Sequence, residues 1–143
     1  MKSLWSKTIS LPKKESLKED IRVQNVVIGA GMAGILIAYF LQECGHEVVV
    51  LEANEIASGQ TKNTTAKITS QHGLIYHNMI KNLGLEKARI YANANETAIR
   101  QYKRIITKEG ISCDYKELPS FLYATREDGI DKLKREVRAA RAC

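Results

Sequence analysis

The sequence predicts an α/β fold: one strand–turn–helix–strand unit with parallel strands, followed by helices and two shorter strands. Three observations predict it. The β-branched run Val26-Val27-Ile28 meets three closely spaced glycines, Gly29, Gly31 and Gly34. An apolar segment of helical length, Met32 to Leu41, comes next, and a second β-branched run, Val48-Val49-Val50, closes the unit. The chain has 143 residues, 44% of them hydrophobic, enough for one ordinary domain or a piece of a larger one on a norm of roughly 100–200 residues per domain.

Residues 1–20 are polar and basic and read as a mobile arm or a lead-in strand. Arg22 to Ile28 reads as the first strand, Met32 to Glu43 as the helix and Glu47 to Leu51 as the second strand. Gly45 stands where a helix end wants a left-handed residue. Tyr76 to Asn82 reads as a short helix stopped by Gly84, and Glu86 to Lys108 as a long one stopped by Gly110. In the long helix Tyr91, Ala94, Ala98, Tyr102 and Ile105 recur at spacings of three and four, a packing stripe. Ile111 to Glu117 and Phe121 to Ala124 read as two short strands joined around Leu118-Pro119-Ser120. A final helix starts near Thr125 with Asp128 as its capping-box partner, and its predicted inward face is Ile130, Leu133, Val137 and Ala140.

Composition removes several classes of function. Charged residues are 27% and prolines two, which excludes a disordered or collagen-like chain. Cys44, Cys113 and Cys143 form no C-x-x-C pair, so neither a disulfide framework nor a metal site is expected, and the thiols read as reduced, cytoplasmic ones. The net charge of +6 lies on helical stretches where both signs alternate, with no dense basic run among aromatics, so no nucleic-acid partner is expected. The N-terminal residues lack the apolar core of a secretory signal. Val23 to Gln42 carries no charge over twenty residues, but its three glycines interrupt it where a strand turns, which speaks against a membrane span.

The turn Gly29-Ala30-Gly31-Met32-Ala33-Gly34 is a G-x-G-x-x-G sequence between a strand and a helix, the setting in which that spacing binds a dinucleotide. Gly29 permits the tight turn, Gly31 lets the backbone approach a pyrophosphate, and Gly34 lets helix and strand pack closely. The phosphates would then meet unpaired N–H groups at the positive end of the helix. Glu52 ends the second strand eighteen residues after Gly34, placed to accept hydrogen bonds from both hydroxyls of an adenosine ribose and to repel a 2′-phosphate, which disfavours NADP. The fingerprint alone leaves FAD and NAD open. The stretch that follows, residues 53–73, is long and rich in Ser, Thr, Gly and Gln, where an NAD domain would usually enter a second crossover helix at once.

The run VVIGAGMAGILIAYFLQECGHEVVVLEA with IASGQTKNTTAK resembles the N-terminus of FAD-dependent oxidoreductases of the D-amino-acid oxidase type, which include glycine and sarcosine oxidases. The resemblance covers about residues 22–125. It implies FAD as cofactor, with Gly29, Gly31, Met32 and Ala33 against the pyrophosphate and Glu52 and Ala53 on the adenosine ribose. It also implies that the loop opening at Ser58 and Gly59 wraps the ribityl and ring end through Gln60, Thr61, Thr64 and Thr65. His72, in a Ser-x-His-Gly pattern, matches a histidine near the flavin in similar proteins and is a weak catalytic candidate. The Thr-Thr-Ala-Lys and Ser-Gln-His-Gly patterns resemble a bacterial subgroup whose longer members often carry a Rieske iron–sulfur domain.

On this resemblance residues 21–112 form an incomplete Rossmann-like FAD-binding segment, and residues 113–143 begin an inserted substrate domain. Two strong strands stand where a doubly wound sheet needs about five or six. The chain therefore resembles the first part of an enzyme that oxidises a C–N bond of a small amine or amino acid, with little or no turnover expected from it alone. Two alternatives stay open: a stand-alone nucleotide-binding module that completes its sheet by pairing open edges between copies, and a fragment of an NAD-dependent dehydrogenase.

Overall fold

The computed structural model describes residues 3–143, which divide into two compact units, one ending at Ala66 and one running from Lys67 to Cys143. In the first unit, Asn25–Ile28 (β1) and Val48–Leu51 (β2) form a parallel pair in the register Asn25 to Val48 and Ile28 to Leu51. The helix between them, α2, spans Met32–Glu43 as predicted. It ends in a Schellman motif: Gly45 has φ 80°, its N–H donates to the Gln42 carbonyl, and the His46 N–H donates to the Leu41 carbonyl.

Both strands are shorter than their sequence signal. At the entry of the ladder the Gln24 side chain accepts from the Glu47 N–H and the Asn25 side chain donates to the Glu47 carbonyl, so side chains take over where backbone pairing was predicted. Val27 lies beside Gly34 on the face that α2 covers. Val26 and Ile28 point to the opposite face and stay exposed, Ile28 at 88%.

Within the N-terminal segment, residues 9–22 are exposed and form neither helix nor strand, as an arm would. Trp5–Thr8 makes one helical turn, α1, which packs on a 3-10 helix at Gln60–Asn63 within the same unit.

The second unit contains Tyr76–Leu83 (α3), Leu85–Lys108 (α4) and Glu127–Ala142 (α5). Gly84, at φ 86°, separates α3 from α4 as the sequence anticipated, and Gly110 has φ 61° just past the end of α4. The stripe of α4 is rotated from the predicted one. Ala88 is fully buried, Tyr91, Tyr102 and Ile105 are half-buried, and Ala94 and Ala98 face solvent. The Tyr91 ring meets Tyr76 edge to face with centroids 6.3 Å apart, an arrangement worth about 0.5–1.5 kcal/mol beyond its area.

The inward face of α5 also differs from the prediction. Ile130, Val137 and Ala140 are exposed and Leu133 is half-buried, while Glu136 (2% exposed) and Ala139 are buried. The cause is at the start of α3, whose first turn has no capping side chain of its own. The Glu136 carboxylate reaches it from α5 and accepts from the Tyr76 N–H at 2.8 Å and the His77 N–H at 2.9 Å. Helix starts leave such N–H groups without intrahelical acceptors, and a negative charge there is favoured by the helix dipole. The predicted capping box of α5 does not form either. Arg126 occupies the N-cap position and pairs with Asp128 at 3.2 Å.

The two strands predicted between Ile111 and Ala124 are not observed. That segment has no ladder partner among the described residues, and Leu118, Phe121 and Tyr123 are exposed. An extended run cannot become a strand without a neighbour to take its N–H and C=O groups. One of its ties to the unit is an exposed ion pair, Lys103 with Glu117 at 2.9 Å, which raises the Lys103 pKa through hydrogen bonding and charge. The described residues contain no helix long and apolar enough to cross a membrane.

Replacing Glu136 by Ala leaves one buried and one part-buried N–H group without this acceptor and should lower unfolding stability by about 2–3 kcal/mol, read by urea denaturation. Glu136→Gln should recover less than half of the loss, because its amide nitrogen would face one of the two N–H donors. A Lys132→Ala control on the exposed side of α5 should stay within about 0.5 kcal/mol of the parent.

Candidate functional site

The glycine turn owes its shape to one missing side chain. A Cβ on Gly34 would lie 1.9 Å from the Gly29 carbonyl oxygen and 3.3 Å from Val27 Cγ1, so only glycine lets the first turn of α2 rest on the end of β1. Gly29 has φ 99°, a conformation open to glycine, and its N–H donates to the Leu51 carbonyl at 2.7 Å, which joins the turn to β2. Gly31 is the N-cap of α2 and has no side chain to offer. A Cβ there would meet only Thr61 Oγ1, at 3.5 Å.

Two segments close on this turn. From β2, the Glu52 carboxylate accepts from the Ala30 N–H at 2.8 Å and from the Asn54 N–H at 2.9 Å. These bonds, that of Ala30 first, hold the Glu52 pKa below its usual value. From the loop beyond, the Ala57 N–H donates to the Ala30 carbonyl at 2.9 Å, and Thr61 Oγ1 accepts from the Met32 N–H at 2.9 Å. Thr61 therefore acts as the long-range cap of α2.

The predicted site residues thus fall into groups. Gly29, Gly31, Met32, Gly34, Glu52 and Thr61 come together around the turn. Ala33 lies in the first turn of α2, and Ala53 follows Glu52 at the exposed end of β2. Ser58 and Gly59 lead into the 3-10 helix that begins with Gln60, and Thr64 follows it, accepting the Ala66 N–H on its hydroxyl at 2.8 Å. Thr65 is exposed just beyond. His72 belongs to the second unit, exposed in the segment before α3.

Sequence reasoning missed Ala30 and Ala57. Ala30 is almost fully buried and offers its N–H to Glu52 and its carbonyl to Ala57. Ala57 has φ 58°, a strained conformation for a residue with a Cβ, and nothing in its sequence neighbourhood announces it.

A model of FAD-dependent oxidoreductases, the DAO family, matches residues 25–143. The chain belongs to the DAO family of FAD-dependent oxidoreductases. Family membership selects the flavin over the NAD alternative that the glycine fingerprint left open.

Among DAO-type relatives, the Bacillus subtilis (strain 168) protein YhfW, named as a Rieske 2Fe-2S iron-sulfur protein, is 38% identical over 135 residues. The match covers 94% of this chain and 26% of that protein. Gamma-glutamylputrescine oxidoreductase of Escherichia coli (strain K12) is 27% identical over 114 residues, covering 80% of this chain and 26% of that enzyme. An L-amino-acid oxidase of Bothrops jararacussu is 57% identical over 37 residues, covering 26% of this chain and 7% of that oxidase. The chain thus spans about a quarter of the first two relatives. No solved structure gives a significant match.

The Glu52 tether should depend on pH. Its pKa is depressed in the folded state, so its stabilisation is present above the usual glutamate value and is lost as pH falls through the depressed one. Thermal denaturation of the parent and Glu52→Gln should therefore show the parent ahead at about pH 7 and the gap closing as the pH falls below the usual glutamate range.

Proposed function

We propose that the first unit holds the dinucleotide of an FAD-dependent amine or amino-acid oxidoreductase, with residues 21–112 as FAD-binding segment and residues 113–143 as the start of an inserted substrate domain. The observation that carries this reading is the N-terminus of α2, where the N-cap Gly31 has no side chain to offer. Gly31 leaves room above the backbone, and the Met32 N–H already serves an external oxygen, that of Thr61. A pyrophosphate oxygen is an acceptor of the same kind with a charge that the helix dipole favours. The donor set therefore fits the group.

In this reading Gly31, Met32 and Ala33 present backbone to the pyrophosphate, while Gly29 and Gly34 set the turn. Glu52 uses one lone pair on each oxygen for the backbone and keeps others, so it can still accept from ribose hydroxyls beside Ala53. Ser58, Gly59, Gln60, Thr61, Thr64 and Thr65 line the path towards the ribityl and ring end. FAD, when bound, supplies the two-electron acceptor for oxidising a C–N bond. The chain's own work is to hold and orient that acceptor. The substrate class follows the relatives named as a gamma-glutamylputrescine oxidoreductase and an L-amino-acid oxidase, and the catalytic step is proposed for a protein of their length.

The purified chain mixed with FAD should show a bound-flavin spectrum and a thermal shift that NAD does not reproduce. Gly31→Ala should leave the FAD-free melting temperature within about 2 °C of the parent and weaken FAD binding at least about tenfold, because its Cβ fits beside Thr61 but obstructs a ligand. Gly34→Ala should destabilise the protein itself by about 3 kcal/mol, as expected of backbone overpacking. Equal FAD affinity in the parent and Gly31→Ala would refute the placement of the pyrophosphate.

A further inference from the structure

The loop between β2 and the second unit has little regular structure to order it. It contains one 3-10 helix, and Ala57 and Ala66 sit in it at φ 58° and 56°. Ordering each such residue costs about 1–2 kcal/mol of backbone entropy, so external ties are needed. Thr61 and Ala57 fasten it to the glycine turn on one side. On the other side the ties come from α1 and from Ser3, just before it. The Ser3 hydroxyl donates to the Lys62 carbonyl, and the Trp5 indole N–H donates to the Thr64 carbonyl at 2.8 Å, each across 59 residues of chain.

The location of these two carbonyls matters. Lys62 is in the last turn of the 3-10 helix and Thr64 is its C-cap residue, positions whose carbonyls have no acceptor role inside the helix. The segment supplies donors that the loop cannot supply for itself. Trp5 is half-buried while residues 9–22 are all exposed, so the contact is local to α1 and not a general collapse of the N-terminal segment.

We infer that α1 is a strap on the candidate flavin loop, with Trp5 as a positioning residue. It orders Gln60–Thr65 and, through Thr61, the acceptor presented to the start of α2, so the loop is preformed before FAD arrives. The role in cofactor binding rests on the site assignment proposed above; the ordering of the loop does not. Preforming a loop cuts the entropy lost on binding, so the strap should act mainly by slowing FAD dissociation.

The test is hydrogen–deuterium exchange on the full chain without FAD, paired with FAD dissociation kinetics. Trp5→Ala should raise exchange across residues 60–66 by about tenfold and leave β1, α2 and β2 unchanged. Trp5→Phe keeps a ring and loses the N–H, and it and Ser3→Ala should each give about a threefold rise. FAD dissociation should accelerate in the same order across the three variants. Trp5 is the single tryptophan of the chain, so acrylamide quenching of its emission reports directly whether the strap is docked. Unchanged exchange at residues 60–66 in Trp5→Ala overturns the strap, whether or not FAD binds. Raised exchange with unchanged FAD dissociation overturns its link to the cofactor. A parent chain that takes up no FAD refutes the site assignment, and the exchange result still decides the strap.

Discussion

The first unit depends on the absence of a side chain at Gly34. Because nothing projects from it, the start of α2 rests against the Gly29 carbonyl. Everything assembled around the turn follows from that approach. With the turn tied to β2 through the Gly29 N–H, Glu52 reaches the Ala30 N–H, Ala57 reaches the Ala30 carbonyl, and Thr61 reaches the Met32 N–H. A larger residue would have to move backbone, and a close-packed interior resists that.

The second unit is organised by a different principle, the need of helix termini for partners. The start of α3 has no local cap, and a buried carboxylate from α5 answers it. That bond also decides which side of α5 faces inward, at the expense of Ile130 and Val137. Polar satisfaction competes well with apolar burial here: Ile130 and Val137, each about half exposed, together forgo about 1.5–3 kcal/mol of transfer free energy, while two stranded N–H groups would together cost about 2–6 kcal/mol.

How much of this was legible varies by element. The bounds of α2 could be read to the residue because strand, glycine turn and Gly45 all punctuate the same segment. The division of α3 from α4 at Gly84 was legible for the same reason. The segment from Ile111 to Ala124 misled because alternating apolar residues announce a capacity to pair, and pairing needs a neighbour that local sequence cannot reveal. The α4 and α5 stripes misled because periodicity defines a face only to within a residue or so, and in α5 the buried residue is Glu136, a charge that no apolar stripe would include. In the site, the glycines and Glu52 stood out by spacing, whereas Ala30, Ala57 and Trp5 act through backbone groups or a single indole N–H that no motif marks.

The sequence by itself determined the parallel strand–turn–helix–strand unit, the dinucleotide fingerprint and membership of a flavin-dependent family. These depend on glycines at defined spacing and on hydrophobic period, properties written within some thirty consecutive residues. Only the tertiary structure decided that Thr61 caps α2, that Trp5 holds the loop, and that Glu136 caps α3. Each of these joins a donor and an acceptor 29 to 60 residues apart. Hydrogen bonds are short and directional, so which distant partners meet is settled by how the chain folds back, not by the residue types along it.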